Sequence, residues 1–343
     1  MHETRQASIW RRTAALLLAI LLSFSVCWQQ AWAAPGETRE LIPMGQVVGI
    51  KLFADGVLVV GISELDGQRA SPAEDCGLKE GDLILRINSR EIQSTEHLQS
   101  CLQETGEEPV VLTVRRGART WEAETCPVLC DDGVFRLGVW IRDSMAGIGT
   151  LTYYDPQTGS YGALGHGITD VDTSVLMPLS SGSIMETSVR AVKKGQRGDP
   201  GELKGDFSQQ RDVGTLSANT AAGIFGKVSD PDFAGAGQPM PVAAVEEVHT
   251  GPATILCTVT GEGTESYQVE IVRISPEKRD MRNLLLRVTD QRLLETTGGI
   301  VQGMSGSPIL QDGKFVGAVT HVLVNDPTQG YGILMENMLA MAG

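Results

Sequence analysis

From Met44 onward, short apolar runs alternate with turn residues. The runs "QVVGIKLFA", "GVLVVGIS", "DLILRINS" and "PVVLTVRR" have the length and β-branched content of strands. Between the second and third lies "ASPAEDCGLKEGD", which opens on a Ser-Pro turn and closes on Gly-Asp. "STEHLQSCLQET" puts Leu98, Cys101 and Leu102 on one helical face, with Ser94 or Thr95 placed to cap it. These elements predict a compact unit over residues 44–127. "CPVLCDDG" reads as a junction, and from Val134 to Gly343 the pattern is nearly all strand: "FRLGVWIR", "GIGTLTYYD", "ATILCTVTG", "YQVEIVRI", "NLLLRVTD" and "KFVGAVTHVLV". Only "MENMLAMAG" reads as helical there. Such a run fits a pair of small β-barrels or a sandwich. Val189 to Pro241 is polar and glycine-rich, and its pattern fits a flexible loop or a strand connection equally well. No internal repeat stands out.

The N-terminus changes the picture of where the chain works. Arg11 and Arg12 precede an apolar run from Thr13 to Trp28, and Ala31-Trp32-Ala33 fits a signal-peptidase site. The run is short for a spanning helix, which needs about 20 residues. Residues 1–33 are therefore expected to act as an export signal or, uncleaved, as a membrane anchor. Val26 stands before Cys27 where a lipoprotein signal has a small residue, which argues against lipidation. The net charge of -14 argues against nucleic acid and anionic membranes as partners. The 41% hydrophobic content suffices for real cores, and 40 glycines favour strands and turns. Six cysteines show no Cys-x-x-Cys pair and no zinc spacing, so no metal is expected. Cys126 and Cys130 are close enough in sequence to pair, but buried free thiols fit the sparse spacing better. No cofactor motif is present.

Residues 44–127 resemble a PDZ domain through Ser71-Pro72-Ala73, Gly77-Leu78-Lys79, Gly81-Asp82 and Ile87-Asn88. In that resemblance Val47-Val48-Gly49-Ile50 falls on the carboxylate-binding loop. Backbone N–H groups of Val48, Gly49 and Ile50 would then hold a peptide end while the peptide adds as a strand. An ordinary β-turn that binds nothing is the other reading.

The densest chemistry lies in "TGGIVQGMSGSPILQDGKFVGAVTH". Ser305 between Gly-Met and Gly-Ser-Pro is either a plain turn residue or a nucleophile on a sharp bend. A serine hydroxyl needs a base, an acid to orient that base, and donors for the developing oxyanion. In two-barrel serine peptidases the donors are the N–H groups of the nucleophile and of the glycine two residues before it, here Ser305 and Gly303. His166, His249 and His321 are the candidate bases. His166, flanked by Gly165 and Gly167, is favoured over His321, which follows on a strand. Among carboxylates, Asp290 ends the apolar run "NLLLRVTD" and is either an orienting acid or the N-cap of "DQRLLETT". Asp170 and Asp172 are next in line.

"GALGHGITDVDT", "GSIMETSV" and "GIVQGMSGSPILQDGKFVGAVTHVLVNDPTQGYGI", in this order behind an export signal and a PDZ-like unit, closely resemble the stage IV sporulation protein B peptidases of spore-forming bacteria. The resemblance implies a mostly β protein with a chymotrypsin-like double β-barrel peptidase domain over 134–343. It implies serine endopeptidase activity with Ser305 as nucleophile, His166 as base and Asp290 as acid. In most two-barrel peptidases the acid lies much further before the serine, so Asp290 implies a triad drawn from different strands. The family is exported across the forespore membrane into the intermembrane space. There it cleaves itself in trans and a regulatory membrane protein of an intramembrane protease complex, which leads to activation of a late mother-cell sigma factor. The PDZ domain governs self-cleavage and target engagement, and a protein inhibitor is a further expected partner. Two other readings are an exported PDZ quality-control protease and a catalytically inactive PDZ adaptor. The first usually has its PDZ after the protease and a glycine at the Ser307 position. The intact set of His166, Asp290 and Ser305 argues against the second.

Overall fold

The structure, a computed structural model, describes residues 39–65, 71–206, 211–235, 237–261, 263–277 and 281–342. The expected export segment and Cys27 lie outside the described residues. Among the described residues no helix is long and apolar enough to cross a membrane.

The first long strand, β1 (Val47–Ile62), serves two modules. It bends at Gly56, whose φ of +102° and closeness to the Ile84 carbonyl, 2.5 Å from an added Cβ, admit no side chain. The PDZ module follows: α1 (Pro72–Asp75), β2 (Leu83–Ile87), α2 (Thr95–Thr105), β3 (Val110–Arg116) and β4 (Arg119–Thr125). Ser71 caps α1 through its Oγ and Ser94 caps α2. The predicted face of α2 is the buried one, and Leu98, Cys101 and Leu102 join Val59, Ile84, Leu112 and Leu137 in one core.

The chain leaves this module on β5 (Val139–Asp155), which pairs with β1 along nearly its whole length. Val139–Arg142 pair with the second half of β1, while Ser144–Thr150 pair with Val47–Phe53. The module boundary therefore differs from the expected 44–127. Residues 47–53 belong to the first barrel, and the start of β5 completes the PDZ module. The PDZ module is an insertion between the first and second strands of that barrel.

The first barrel continues with β6 (Ser160–Ala163), β7 (Ser181–Glu186), β8 (Asp212–Thr220) and β9 (Gly223–Val228). The pairings β1–β5–β6–β9–β8–β7–β1 close a ring. The second barrel is β10 (Gly251–Cys257), β11 (Glu265–Ile274), β12 (Leu284–Val288), β13 (Pro308–Gln311), β14 (Lys314–Leu323) and β15 (Asp326–Leu334), closed in the order β10–β11–β12–β15–β14–β13. Numbered within each barrel, both rings read 1-2-3-6-5-4. The repetition lies in topology and leaves no trace in the sequence. Between β12 and β13 sits α3 (Gln291–Thr297), and the chain ends on α4 (Met335–Leu339), whose Met335 and Met338 are fully buried. The unassigned stretch after Val189 forms a hairpin, Ser188–Lys193 against Glu202–Asp206, followed by β8 and β9. Among the described cysteines, Cys76, Cys101, Cys126 and Cys257 are free thiols; Cys101, Cys130 and Cys257 are buried and Cys126 is exposed.

Candidate active site

Ser305 lies on the loop that leads into β13, and the other barrel holds that loop in place. Thr150, buried on β5, donates its N–H to the Ser305 carbonyl (2.9 Å) and its hydroxyl to the Gly303 carbonyl (2.9 Å). At Gly306 a Cβ would stand 2.1 Å from the Thr150 carbonyl and 2.6 Å from the Leu164 nitrogen, and φ is +99°. Only glycine passes there. Ser307, fully buried, closes the turn by donating N–H (3.0 Å) and hydroxyl (2.7 Å) to the Met304 carbonyl. Gly306 N–H goes to Val319 O at 2.7 Å and Met304 N–H to Val301 O at 3.1 Å. Among the described residues no acceptor is bonded to the N–H of Gly303 or Ser305. Two unspent donors beside a serine are what an oxyanion site requires. The Ser305 hydroxyl itself donates to the Thr320 carbonyl at 2.7 Å.

His166 follows β6 on a turn in which Leu164 and Gly165 both have positive φ, 70° and 68°. Each flanking glycine has a steric reason. A Cβ on Gly165 would crowd Thr320 and Ile333 of the second barrel at 3.0 and 3.2 Å. One on Gly167 would stand 2.5 Å from the Thr220 carbonyl. The ring is thereby wedged between barrels. Its Nδ1 lies 2.9 Å from the Gly167 carbonyl. A carbonyl can only accept, so Nδ1 carries the proton and Nε2 keeps its lone pair. Burial pushes the His166 pKa below the ordinary histidine value, partly offset by the Gly167 bond. The result is a neutral imidazole in the tautomer a general base needs. The His321 ring stands 4.9 Å away, centroid to centroid, tilted by 37°.

His166, Ser305, Gly303, Thr320 and His321 border one cavity of about 470 Å³. Asp290 is not among its lining residues. It caps α3: Oδ1 accepts from the Arg292 N–H (2.9 Å) and Oδ2 from the Gln268 N–H (3.2 Å), with the Arg292 guanidinium on both oxygens. Those bonds, the Arg292 side chain foremost, hold its carboxyl below the usual carboxylate range. Of its two sequence readings, the structure favours the cap. His166 and Ser305, one from each barrel, border the same cavity, while Asp290 stays outside it and the Gly167 carbonyl accepts the hydrogen bond from His166 Nδ1.

The loop carrying His166 has its own supports. Asn219, at the end of β8, accepts from the Ile168 N–H and donates to the Ile168 and Met177 carbonyls, each at 2.9 Å. Asp170, fully buried, accepts from the Thr173 N–H and hydroxyl (both 2.9 Å) and from Arg142 on β5. Burial pushes its carboxyl up, and the Thr173 and Arg142 contacts overcome that, so it sits below the ordinary range. Asp170 therefore braces the loop and does not touch His166. Sequence reasoning missed Thr150, Asn219 and Arg142. An Asn at a strand end and a Thr within an apolar run carry no signal until the partner loop is known.

Val48, Gly49 and Ile50 do not form a peptide-binding loop. They lie mid-strand in β1, with β5 on one edge (Gly49 opposite Ile148) and β7 on the other (Gly49 opposite Met185). Their N–H groups face barrel neighbours, and no edge is left for a peptide. The PDZ module instead has a groove of about 220 Å³ between α2, at Leu98, Gln99 and Leu102, and the segment Arg136–Ile141. Gly138 there has φ +76°, and its Cβ would stand 2.4 Å from Ser71 Cβ. "RLGVWIR" carries the same Gly-between-apolar signal as "VVGI".

Residues 133–339 match the family model described as SpoIVB peptidase S55, and residues 65–116 match a PDZ domain model. No curated relative matches. Among solved structures, the PDZ domain of the SdrC-like protein from Listeria monocytogenes is 21% identical, covers 25% of this chain and 87% of its own, and has a TM-score of 0.22. The Rv3671c protease, inactive form, is 15% identical over 57% of this chain and 84% of its own, TM-score 0.33; the same protease in its active form is from M. tuberculosis. The HtrA-type protease AlgW with decapeptide is 8% identical over 88% of this chain and 64% of its own, TM-score 0.35. The peptidase model spans more than half of the chain, and the two-barrel fold and PDZ module agree with it: the protein belongs to the SpoIVB family of S55 serine peptidases.

Proposed function

We propose that this serine peptidase is an exported signalling endopeptidase in which Ser305 attacks the peptide carbonyl and His166 takes its proton. One observation carries the assignment. His166 and Ser305 come from different barrels onto one cavity, with the His166 tautomer set and the Gly303 and Ser305 N–H groups unspent. The hydroxyl that donates to Thr320 turns toward His166 Nε2 as substrate enters. His166 accepts the proton, the carbonyl oxygen becomes an oxyanion between the two N–H groups, and the imidazolium then protonates the departing amine. The Gly167 carbonyl holds Nδ1–H throughout. It orients the ring but brings no full negative charge to the imidazolium, and His321 packs beside the ring.

Family membership supports the finer role: export from the forespore and cleavage of itself in trans and of a regulatory membrane protein that restrains an intramembrane protease. The PDZ groove at Gly138–Ile141 suits a peptide added as a strand against α2. The test incubates purified wild type and Ser305→Ala with the exported portion of such a regulator. Cleavage by wild type alone supports the role. A regulator left intact by an enzyme that still cuts denatured casein overturns the signalling role and keeps the peptidase.

A further inference from the structure

We propose that the cavity beside Ser305 selects an aliphatic residue on the acyl side of the cleaved bond, with Val322 and Val324 as specificity-determining side chains. The inference rests on Ser305 being the nucleophile and adds the substrate class.

The placement follows from which edge of β14 is open. β15 takes one edge, with His321 opposite Tyr331 and Val322 opposite Gly330. On the other edge, β13 pairs only from Lys314 to Ala318. Beyond it, Val319 bonds to the nucleophile loop, and Thr320, His321 and Val322 border the cavity. An extended peptide therefore has one strand edge to add to, and that edge begins at the carbonyl beside Ser305. With its own carbonyl oxygen directed at the Gly303 and Ser305 N–H groups, the residue being cleaved must place its side chain between the segment before the serine and β14.

The walls of that space are aliphatic: Ile148 from the first barrel, Ile300 and Val301 before the serine, and Val322 and Val324 after Thr320. Among the described residues no Asp, Glu, Lys or Arg lines the cavity. A charged side chain entering it would lose its water and find no counter-ion, while a valine, alanine or leucine would bury apolar surface.

The experiment digests denatured casein and a fluorogenic peptide series differing only at the residue before the scissile bond, with wild type and Ser305→Ala. Val, Ala or Leu there should exceed Lys and Glu in kcat/KM by about 100-fold or more. Val322→Asp should raise the Lys-to-Val ratio at least about tenfold by supplying the missing counter-ion. Val324→Asp is the companion variant, since Val324 is already half exposed and tolerates a charge without loss of fold. Ser305-dependent cuts with a flat or charged preference, or Asp variants that leave the ratio unchanged while folding normally, overturn the pocket assignment alone. Cuts that persist in Ser305→Ala, or none in either protein, overturn the nucleophile and the pocket together.

Discussion

Replacing Asp290 by asparagine separates two accounts of this active site. If the carboxylate orients His166, the change leaves the ring in place in the wrong tautomer, and related triads then lose on the order of 10⁴-fold in kcat. The structure predicts otherwise. Asparagine caps a helix about as well as aspartate, so the Oδ1 bond to the Arg292 N–H survives. What is lost is the ion pair with Arg292, whose side chain is 61% exposed, and such pairs contribute about 0–1 kcal/mol; the second oxygen becomes an NH2 and no longer accepts from the exposed Gln268 N–H, which water serves instead. For a chain of this size that corresponds to a fall in Tm of at most about 2 °C. Asp290→Ala removes the cap as well, leaves the Gln268 N–H without its side-chain acceptor, and should cost about 0.5–2 kcal/mol. The sign with pH is fixed by the depressed carboxyl. Its stabilisation is present above the unfolded carboxylate value of about 3.9 and is lost as pH falls through the lower folded value. The assay pairs thermal unfolding with kcat on one peptide for wild type, Asp290→Asn and Asp290→Ala. The expected outcome is a graded loss of Tm with kcat within about threefold, a rate factor worth less than 1 kcal/mol. A thousandfold loss of kcat in Asp290→Asn at unchanged Tm would show that the acid reaches His166 during turnover and refute the capping assignment.

Three further outcomes are expected. Activity should rise with pH through a single ionisation below the ordinary histidine value of about 6.5, because His166 must be neutral to act and burial lowers its pKa; a kcat/KM profile with its midpoint at or above 7 contradicts this. Gly306→Ala should destabilise the protein by about 2 kcal/mol or more, read from urea midpoints, since its Cβ meets the Thr150 carbonyl at 2.1 Å at positive φ; an unchanged midpoint would mean the two barrels are not clamped there. In the PDZ module, Trp140→Glu, at an exposed position of the groove, should weaken peptide binding by at least about tenfold by calorimetry, while Gly49→Glu should lower stability through loss of barrel packing; retained binding in the Trp140 variant would place the peptide elsewhere.

The strand-rich second half, the helix face at Leu98, Cys101 and Leu102, and the Gly-His-Gly and Gly-Met-Ser-Gly turns were legible because each depends on local periodicity or on backbone angles few residues tolerate. Ser305 and His166 were legible as chemistry for the same reason. What the pattern could not carry was pairing across distance. "QVVGIKLFA" reads as a strand in either a PDZ module or a barrel, and only its partners, Ser144–Thr150 and β7, decide. Asp290 carries the same residues before and after it whether it caps a helix or faces a histidine. The choice depends on Arg292 and Gln268, whose side chain and backbone converge on it. Asn219 and Arg142 were invisible because a clamp is recognised by what it holds.

The insertion of the PDZ module between two adjacent strands of the first barrel bears on how the chain assembles. Val47–Phe53 emerge first during synthesis, yet their partner Ser144–Thr150 appears only after the whole PDZ module has been made. The early strand must wait unpaired, with an apolar face exposed, until the inserted module has folded and returned the chain beside it. A module that folds slowly or is destabilised would therefore delay closure of the barrel that presents His166. Loss of PDZ stability should appear as a maturation defect in the peptidase, even where neither Ser305 nor His166 has been touched.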